Sequence, residues 1–521
     1  MKIPSNLVRV YRDLHSWVGI VTSLFLFVAF YAGAVTMFEQ PLQDWASQSI
    51  SLPAPVSLHS TPELMAKAFA AHPEAKKNYT ISLFPNAAHP ERLSWSAPFG
   101  HGHGSHELTL AALDEKGALV TVQPHFSAAA DFIDLLHQQV GIPLPHETAL
   151  LVTGMVALLY AVALSSGVII FLPKMAQNLF ALRLTSSLRR MWLDIHNLLG
   201  IFSLPFHLVI ALTSVVFAFH DPVYDVQQAL LAKSPASINL SEKIKASSHS
   251  DKISRPDTAN YPESSPLSPE EIVDHFGKQA PGFIVDSLSY MQNKEGRLIL
   301  RIAGHDPRYR MRGSTSGFAE IDPYSGKIIS SDYLPGHQST SFAILTTFFA
   351  LHFGNFGGLL VRWGYVLLGL GGAFLFYTGN QLWINSRKRR EIKTGKILPS
   401  TRFLECLTAG CTNGCIAGIS AVVCAAFLLP HGGSYKDVAA IYYSVFAFFV
   451  GLSFCLNAQH RNSILLLGAG LLTILIPVMA SAYGHKSLFL SSNLSCSLIA
   501  WFFGDLLLIA AIKQKNLPKK I

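Results

Sequence analysis

Charge is scarce in this 521-residue chain: Asp, Glu, Lys and Arg make up 14% of it, against 50% hydrophobic residues and a mean hydropathy of +0.34. That balance excludes an ordinary soluble domain and a disordered polar chain, and it predicts a membrane protein. Cysteine is missing until residue 406, and all six (Cys406, Cys411, Cys415, Cys424, Cys455 and Cys496) stand in the last third. The long segments outside the apolar runs therefore do without disulfides. Cys411 and Cys415 are one helical turn apart but lack the further paired ligands of a structural zinc site, so they read as small packing residues. No glycine-rich dinucleotide fingerprint occurs, and no Cys-x-x-Cys-His sequence that would attach a cofactor through thioether links.

What is present is a set of apolar runs, each near the roughly 20 residues that a bilayer requires. They lie at about Trp17 to Phe38, Thr148 to Leu172, Leu193 to Phe219, Leu359 to Ile384, Cys406 to Leu429, Val438 to Leu456, Ile464 to Tyr483 and Ser491 to Ile512, which predicts eight spans. Arg9 and Arg12, the link from Lys174 to Arg190, the Arg387-Lys388-Arg389-Arg390 block and Lys513 to Lys520 all fall on one side, so both termini are expected in the cytosol. The net charge of +8 then reports topology, and no nucleic-acid partner is expected because the basic residues sit at helix ends beside the lipid bilayer. The first run is too long for a cleaved signal peptide and is expected to remain as an anchor.

Two of the spans open alike. Asp13-Leu14-His15-Ser16-Trp17-Val18-Gly19-Ile20 recurs as Asp194-Ile195-His196-Asn197-Leu198-Leu199-Gly200-Ile201, and the offset of 181 continues through Phe25/Phe206, Val28/Val209, Val35/Val216, Phe38/Phe219 and Pro41/Pro222. This is a diverged internal repeat in which both helices run the same way, so the two halves are related by an axis along the membrane normal. His15 and His196 are thereby expected to face each other at the cytosolic side, where two imidazoles can hold a haem iron from both faces. A second pair follows the same logic: Asp131 to Leu136 and Thr346 to Leu351 each read as a short interfacial helix delivering His137 and His352 before a span, with Gly141, Gly354, Gly357 and Gly358 permitting the turn or the approach of a flat macrocycle. Isolated ionisable groups in spans are costly and usually functional, which favours ligation for four histidines in two related pairs over satisfied interfacial residues.

Other histidines offer less. His207 stands 11 residues after His196, which on a straight helix is nearly the same face about 16 Å further along, and it is a candidate for a third haem; its repeat counterpart is Leu26. His146 and His220 sit at the exterior boundary, where they could support propionates or substrate. His101, His103 and His106 form a cluster on an exterior loop that could capture a transition metal, although a solvated loop explains it as well.

Two exterior segments are too long to be mere connections. In the second, Ser268-Pro269-Glu270-Glu271 starts an amphipathic helix, followed by strands at Phe283 to Met291, Arg297 to Ala303 and Gly317 to Ile329 with a turn at Asp322 to Lys327. In the first, a helix from Thr61 to Ala71 precedes strands at Tyr79 to Phe84, Arg92 to Ser96, Leu108 to Leu113 and Ala118 to Val122. Each segment reads as a small α+β domain. The stretch from Leu240 to Pro269, rich in Ser, Pro and Lys, reads as a mobile insertion, and Arg301, Arg308, Arg310 and Arg312 make the second domain locally basic, which could attract an anionic ferric chelate and is explained equally well by a solvated strand face.

The helix with its Asp-Pro-x-x-Gly hairpin resembles a PepSY domain. Together with Leu14-His15-Ser16-Trp17-Val18-Gly19, Leu136-His137, Leu351-His352 and the Thr378-Gly379-Asn380-Gln381-Leu382-Trp383 exit, residues 7 to 395 resemble the PepSY-associated transmembrane family, iron-regulated inner-membrane proteins that include ferric-siderophore reductases with b-type haems. The apolar runs and the resemblance together predict a mainly α-helical polytopic protein of about eight spans: a first span (1–38), a periplasmic PepSY-like domain (39–147), spans two and three (148–219), a second PepSY-like domain (220–341), an interfacial helix with span four (342–395) and a four-span extension (396–521) that falls outside the resemblance. The resemblance further implies a bacterial inner-membrane oxidoreductase with two haem b groups that reduces a ferric siderophore or other Fe(III) chelate in the periplasm. Without a nucleotide site, the electron donor is expected to be a quinol or a separate reductase. Two rivals remain open: a transporter with a histidine proton relay, and a binding or regulatory membrane protein without enzymatic activity.

Overall fold

The computed structural model describes residues 4–47, 50–86, 89–96, 108–174, 188–232, 265–293, 296–311, 317–393, 395–483 and 491–515. The chain divides into two units. The first comprises Met1–Gln48, His125–Phe219 and Arg362–Ile521, and the second Ser49–Pro124 and His220–Val361.

The first unit is helical. Its helices are α1 (Ser5–Thr36), then α2 (Glu39–Ala46); α3 (Thr61–Ala71) belongs to the second unit; α4 (Ala129–Gln138), α5 (His146–Phe171), α6 (Leu188–Phe202) and α7 (Leu204–Ala232) follow in the first, α7 as far as Phe219. Further along, α8 (Pro269–Gln279) and α9 (Thr340–Phe353) lie in the second unit, and α10 (Gly358–Lys393), α11 (Pro399–Leu428), α12 (Tyr435–Cys455), α13 (Arg461–Tyr483) and α14 (Ser491–Lys515) complete the chain. Seven helices among the described residues are long and apolar enough to cross a membrane, and α6 with α7 makes an eighth if the pair counts as one span. The protein is thus a mainly helical, polytopic membrane protein.

The third span is not the straight helix that its periodicity predicts. It bends by 68° between Phe202 and Leu204. Pro205 has no N–H to give the preceding turn, and Ser203 Oγ bonds back to Leu199 O beside the Ser203 N–H, a side-chain bond that favours bending. In α1 the position matching Pro205 is Leu24 and the one matching Ser203 is Thr22, and α1 runs unbroken. The expectation that His207 continues the His196 face of a straight helix is corrected accordingly.

The C-terminal spans are organised by α11, which is buried along most of its length. Gly410, Gly414 and Gly418 recur every fourth residue on one face, and a methyl group there would lie 2.7 Å from Val450 Cα, 3.1 Å from Phe446 O and 2.8 Å from the Tyr442 ring. Small residues at this spacing let the backbones of α11 and α12 approach closely, which is the main attraction available between helices in lipid. Polar side chains add to it: Ser23 Oγ donates to Asn380 Oδ1 at 2.8 Å, and Asn380 Nδ2 donates to Thr408 Oγ1 at 3.3 Å, joining α1, α10 and α11.

The second unit holds eight strands: β1 (Asn78–Ser82), β2 (Leu93–Ser96), β3 (Leu108–Leu113), β4 (Leu119–Val122), β5 (Ile284–Gln292), β6 (Leu298–His305), β7 (Gly317–Ile321) and β8 (Ile328–Ser330). The two expected α+β domains share one antiparallel sheet of order β4-β3-β2-β1-β5-β6-β7-β8. The seam is the β1–β5 pair, where Tyr79 stacks on Tyr290 at 4.6 Å on one face and Thr80 bonds Ser289 at 3.0 Å on the other. Alternate residues Ile81, Leu93, Leu288, Leu300, Ile302 and Ile321 form the covered face, under Leu64 and Ala68 of α3 and Ile272 and Phe276 of α8. Helix α8 starts at the capping box that Ser268 and Glu271 encode. The long segment between the first and second spans is also divided: residues from His125 onward, including α4, pack with the spans.

Candidate functional site

The opening Asp-x-His of α1 and of α6 places His15 and His196 against each other, edge to face, with ring centroids 6.2 Å apart. Each imidazole is oriented by the helix beside it. His15 Nδ1–H donates to Ala163 O of α5 at 2.8 Å. His196 Nδ1 lies 3.0 Å from Thr378 Oγ1 of α10, and because that hydroxyl already donates to Leu375 O at 2.7 Å, it accepts from the imidazole. Both rings therefore carry their proton on Nδ1 and present an unprotonated Nε2, the form that ligates iron. Glycines make the approach available: a Cβ on Gly167 would come within 3.0 Å of His15 Cε1, and one on Gly379 within 3.4 Å of His196 Cε1.

An acceptor Nε2 on each of two neighbouring rings is a donor set that a haem iron takes, so the residues present would fit that group.

His137, in the last turn of α4, has the same tautomer: its Nδ1–H donates to Ala29 O of α1 at 2.8 Å, and it lies against Gly33, whose hypothetical Cβ would be 2.7 Å from Nδ1. After α4 the chain turns through Val140 and Gly141, both at positive φ, with Gly141 close against Val28. His352 occupies the last turn of α9, which Gly354 ends in the left-handed conformation. His137 belongs to the first unit and His352 to the second.

His207 is fully buried among Phe30, Phe206, Phe376 and Tyr160, and the Tyr160 hydroxyl lies 2.5 Å from its Nδ1. Its Nε2 has no partner among the described residues. His146 begins α5 and contacts Gln139 at 3.3 Å. His101, His103 and His106 lie outside the described residues, as do most of the insertion from Leu240 to Pro269 and Arg312. Among the described residues no group of three or more His, Cys, Asp or Glu side chains is arranged to hold a metal ion directly. Two of the arginines of the second unit are paired within it, Arg308 with Asp306 at 2.6 Å in the turn after β6 and Arg301 of β6 with Glu320 of β7 at 3.5 Å.

Sequence reasoning names the histidines and misses what orients them. Thr378 and Gly379 stand in the exit sequence quoted above, without any sign that they face His196. Ala163, Gly167, Ala29 and Gly33 carry no signal at all, since a backbone carbonyl and a missing side chain have no pattern of their own.

A family model described as PepSY-associated TM region matches residues 12–386. No curated protein matches the chain.

Proposed function

Since the chain belongs to the PepSY-associated TM region family, we propose that it is a b-type cytochrome of the bacterial inner membrane that passes electrons outward to ferric chelates, ferric siderophores among them. The observation that carries this reading is the matched tautomer of His15 and His196, two Nε2 lone pairs on rings 6.2 Å apart. A haem bound there supplies reversible one-electron chemistry.

The chain's own residues do the rest. Ala163 O and Thr378 Oγ1 hold the Nδ1 protons of His15 and His196, which fixes ring orientation and raises the basicity of Nε2. Ala29 O does the same for His137. The sequence equivalence of the two interfacial helices makes His137 and His352 the candidates for a second, exterior haem, and His207 the candidate for a third. The basic loops put both termini in the cytosol and the eight-stranded unit, read as two PepSY-like halves, in the periplasm, where the chelate is met. A quinol or a separate reductase supplies the electrons.

The test is a reduced-minus-oxidised absorption spectrum of the full chain purified from haem-sufficient cells. A Soret band removed by acid-acetone is expected, and a colourless protein overturns the reading. The buried Tyr160–His207 pair favours one rival, a transporter that relays protons through histidines; the same spectrum separates the two, because a relay requires no chromophore.

A further inference from the structure

We infer that the groove where α10 passes into α11 is a binding site for the phosphate headgroup of an anionic phospholipid. The groove has a volume of about 530 Å³ and is lined by Ile392, Gly395, Lys396, Ile397, Pro399 and Arg402. Its form is set by Glu391, which accepts from Leu398 N at 3.0 Å and Thr401 Oγ1 at 2.7 Å and so holds the loop in place.

Charge at this junction is unevenly balanced. Arg387 is paired with Glu391 at 3.4 Å, and Lys388 and Arg461 share Glu405 at 2.6 and 3.7 Å. Lys396 and Arg402, the two cations that line the groove, meet no carboxylate in an ion pair among the described residues. Glu391 meets the start of α11 through Leu398 N and Thr401 Oγ1, so the charge left to a ligand in the groove is that of Lys396 and Arg402. Such a set recognises a phosphate monoanion.

The flanks decide where that phosphate comes from. Ile392, which lines the groove at the end of a membrane-spanning helix, is 59% exposed, and Leu398 and Phe403, each next in sequence to a lining residue, are 44 and 55% exposed. A soluble anion leaves this apolar surface unused. A phospholipid places its headgroup on the cations and its acyl chains on the flank, the distribution expected at headgroup depth. Bound there, the lipid clips the last turn of α10 to the first turn of α11, at the seam between the matched region ending at residue 386 and the C-terminal bundle.

The experiment uses the full-length chain, exchanged into nonionic detergent with equal phosphatidylglycerol and phosphatidylcholine, then examined by native mass spectrometry. Phosphatidylglycerol should be retained in preference, and Lys396→Gln combined with Arg402→Gln should lose about one retained molecule per chain. Lys396→Glu alone, at an exposed loop position, should act in the same direction. Arg389→Gln with Lys393→Gln, exposed cations that do not line the groove, should retain it. Equal retention of both lipids, unchanged retention in the groove variants, or displacement by millimolar inorganic phosphate overturns the proposal. Lipid count is read without reference to colour, so this outcome is independent of the haem reading.

Discussion

The imidazoles of His15 and His196 meet edge to face at 6.2 Å with their planes 76° apart, although 181 residues separate them in the chain. Neither stands alone, since each has its Nδ1 proton committed to the helix beside it. If one iron takes both, the two substitutions are not additive. His15→Ala and His196→Ala should each lower haem per chain by one, and the double variant should lower it no further. Pyridine haemochrome assay against protein mass checks this, and a double variant that loses twice as much refutes a shared iron.

Thr378 acts on the site only through His196. Thr378→Val keeps shape and removes the hydroxyl acceptor at 3.0 Å, leaving the Nδ1 proton to the Leu375 carbonyl alone. Loss of such an outer partner typically costs about 10- to 100-fold in metal affinity. Haem titration into the apo-protein should show that loss, with recovery in Thr378→Ser; an unchanged affinity would mean that Thr378 serves helix packing alone.

Gly33 tests His137 from the other side. A Cβ at this position would lie 2.7 Å from His137 Nδ1, so Gly33→Ala must push the ring out of its bond with Ala29 O. Gly19, on the same helix, has nothing within 4 Å of a hypothetical Cβ. Gly33→Ala should therefore remove the same haem as His137→Ala, and Gly19→Ala should leave the spectrum unaltered.

A pH response is expected at the end of α1. Burial, with Asp134 and Asp131 nearby, pushes the Glu39 carboxyl up from 4.5 to about 7. A raised folded-state value means that the protonated form is favoured by folding. The stability it contributes is full below about pH 4.5 and is lost as pH rises through about 7. The midpoint of thermal unfolding should fall over that window in the native chain, and Glu39→Gln should flatten the slope; an identical slope in both removes Glu39 as its source.

Much of the architecture is legible in local pattern. Thr61–Ala71 and the Ser268 capping box mark their helices, and short apolar or alternating runs bounded by turn residues mark the strands, because each signal is carried by neighbours in sequence. The pairing of β1 with β5 is not legible: it joins segments some 200 residues apart, and edge complementarity lies in backbone groups that every residue shares. The break at Ser203 is signalled by Pro205, yet its angle depends on what packs around it. At the site, the repeat brings His15 and His196 into view, whereas the carbonyl of Ala163, the hydroxyl of Thr378 and the space over Gly33 are properties of helix packing.

The β1–β5 seam also sets an order of events in biogenesis. Tyr79 is synthesised 211 residues before its partner Tyr290, with the second and third spans between them. At roughly 5 to 20 residues per second, β1 waits about 10 to 40 s with one edge unpaired. Closure requires both strands to emerge on the same side of the bilayer, so a single span inserted backwards leaves each half-sheet with an open, aggregation-prone edge. Completion of the sheet thus requires that the spans between its two halves return the chain to the side it left.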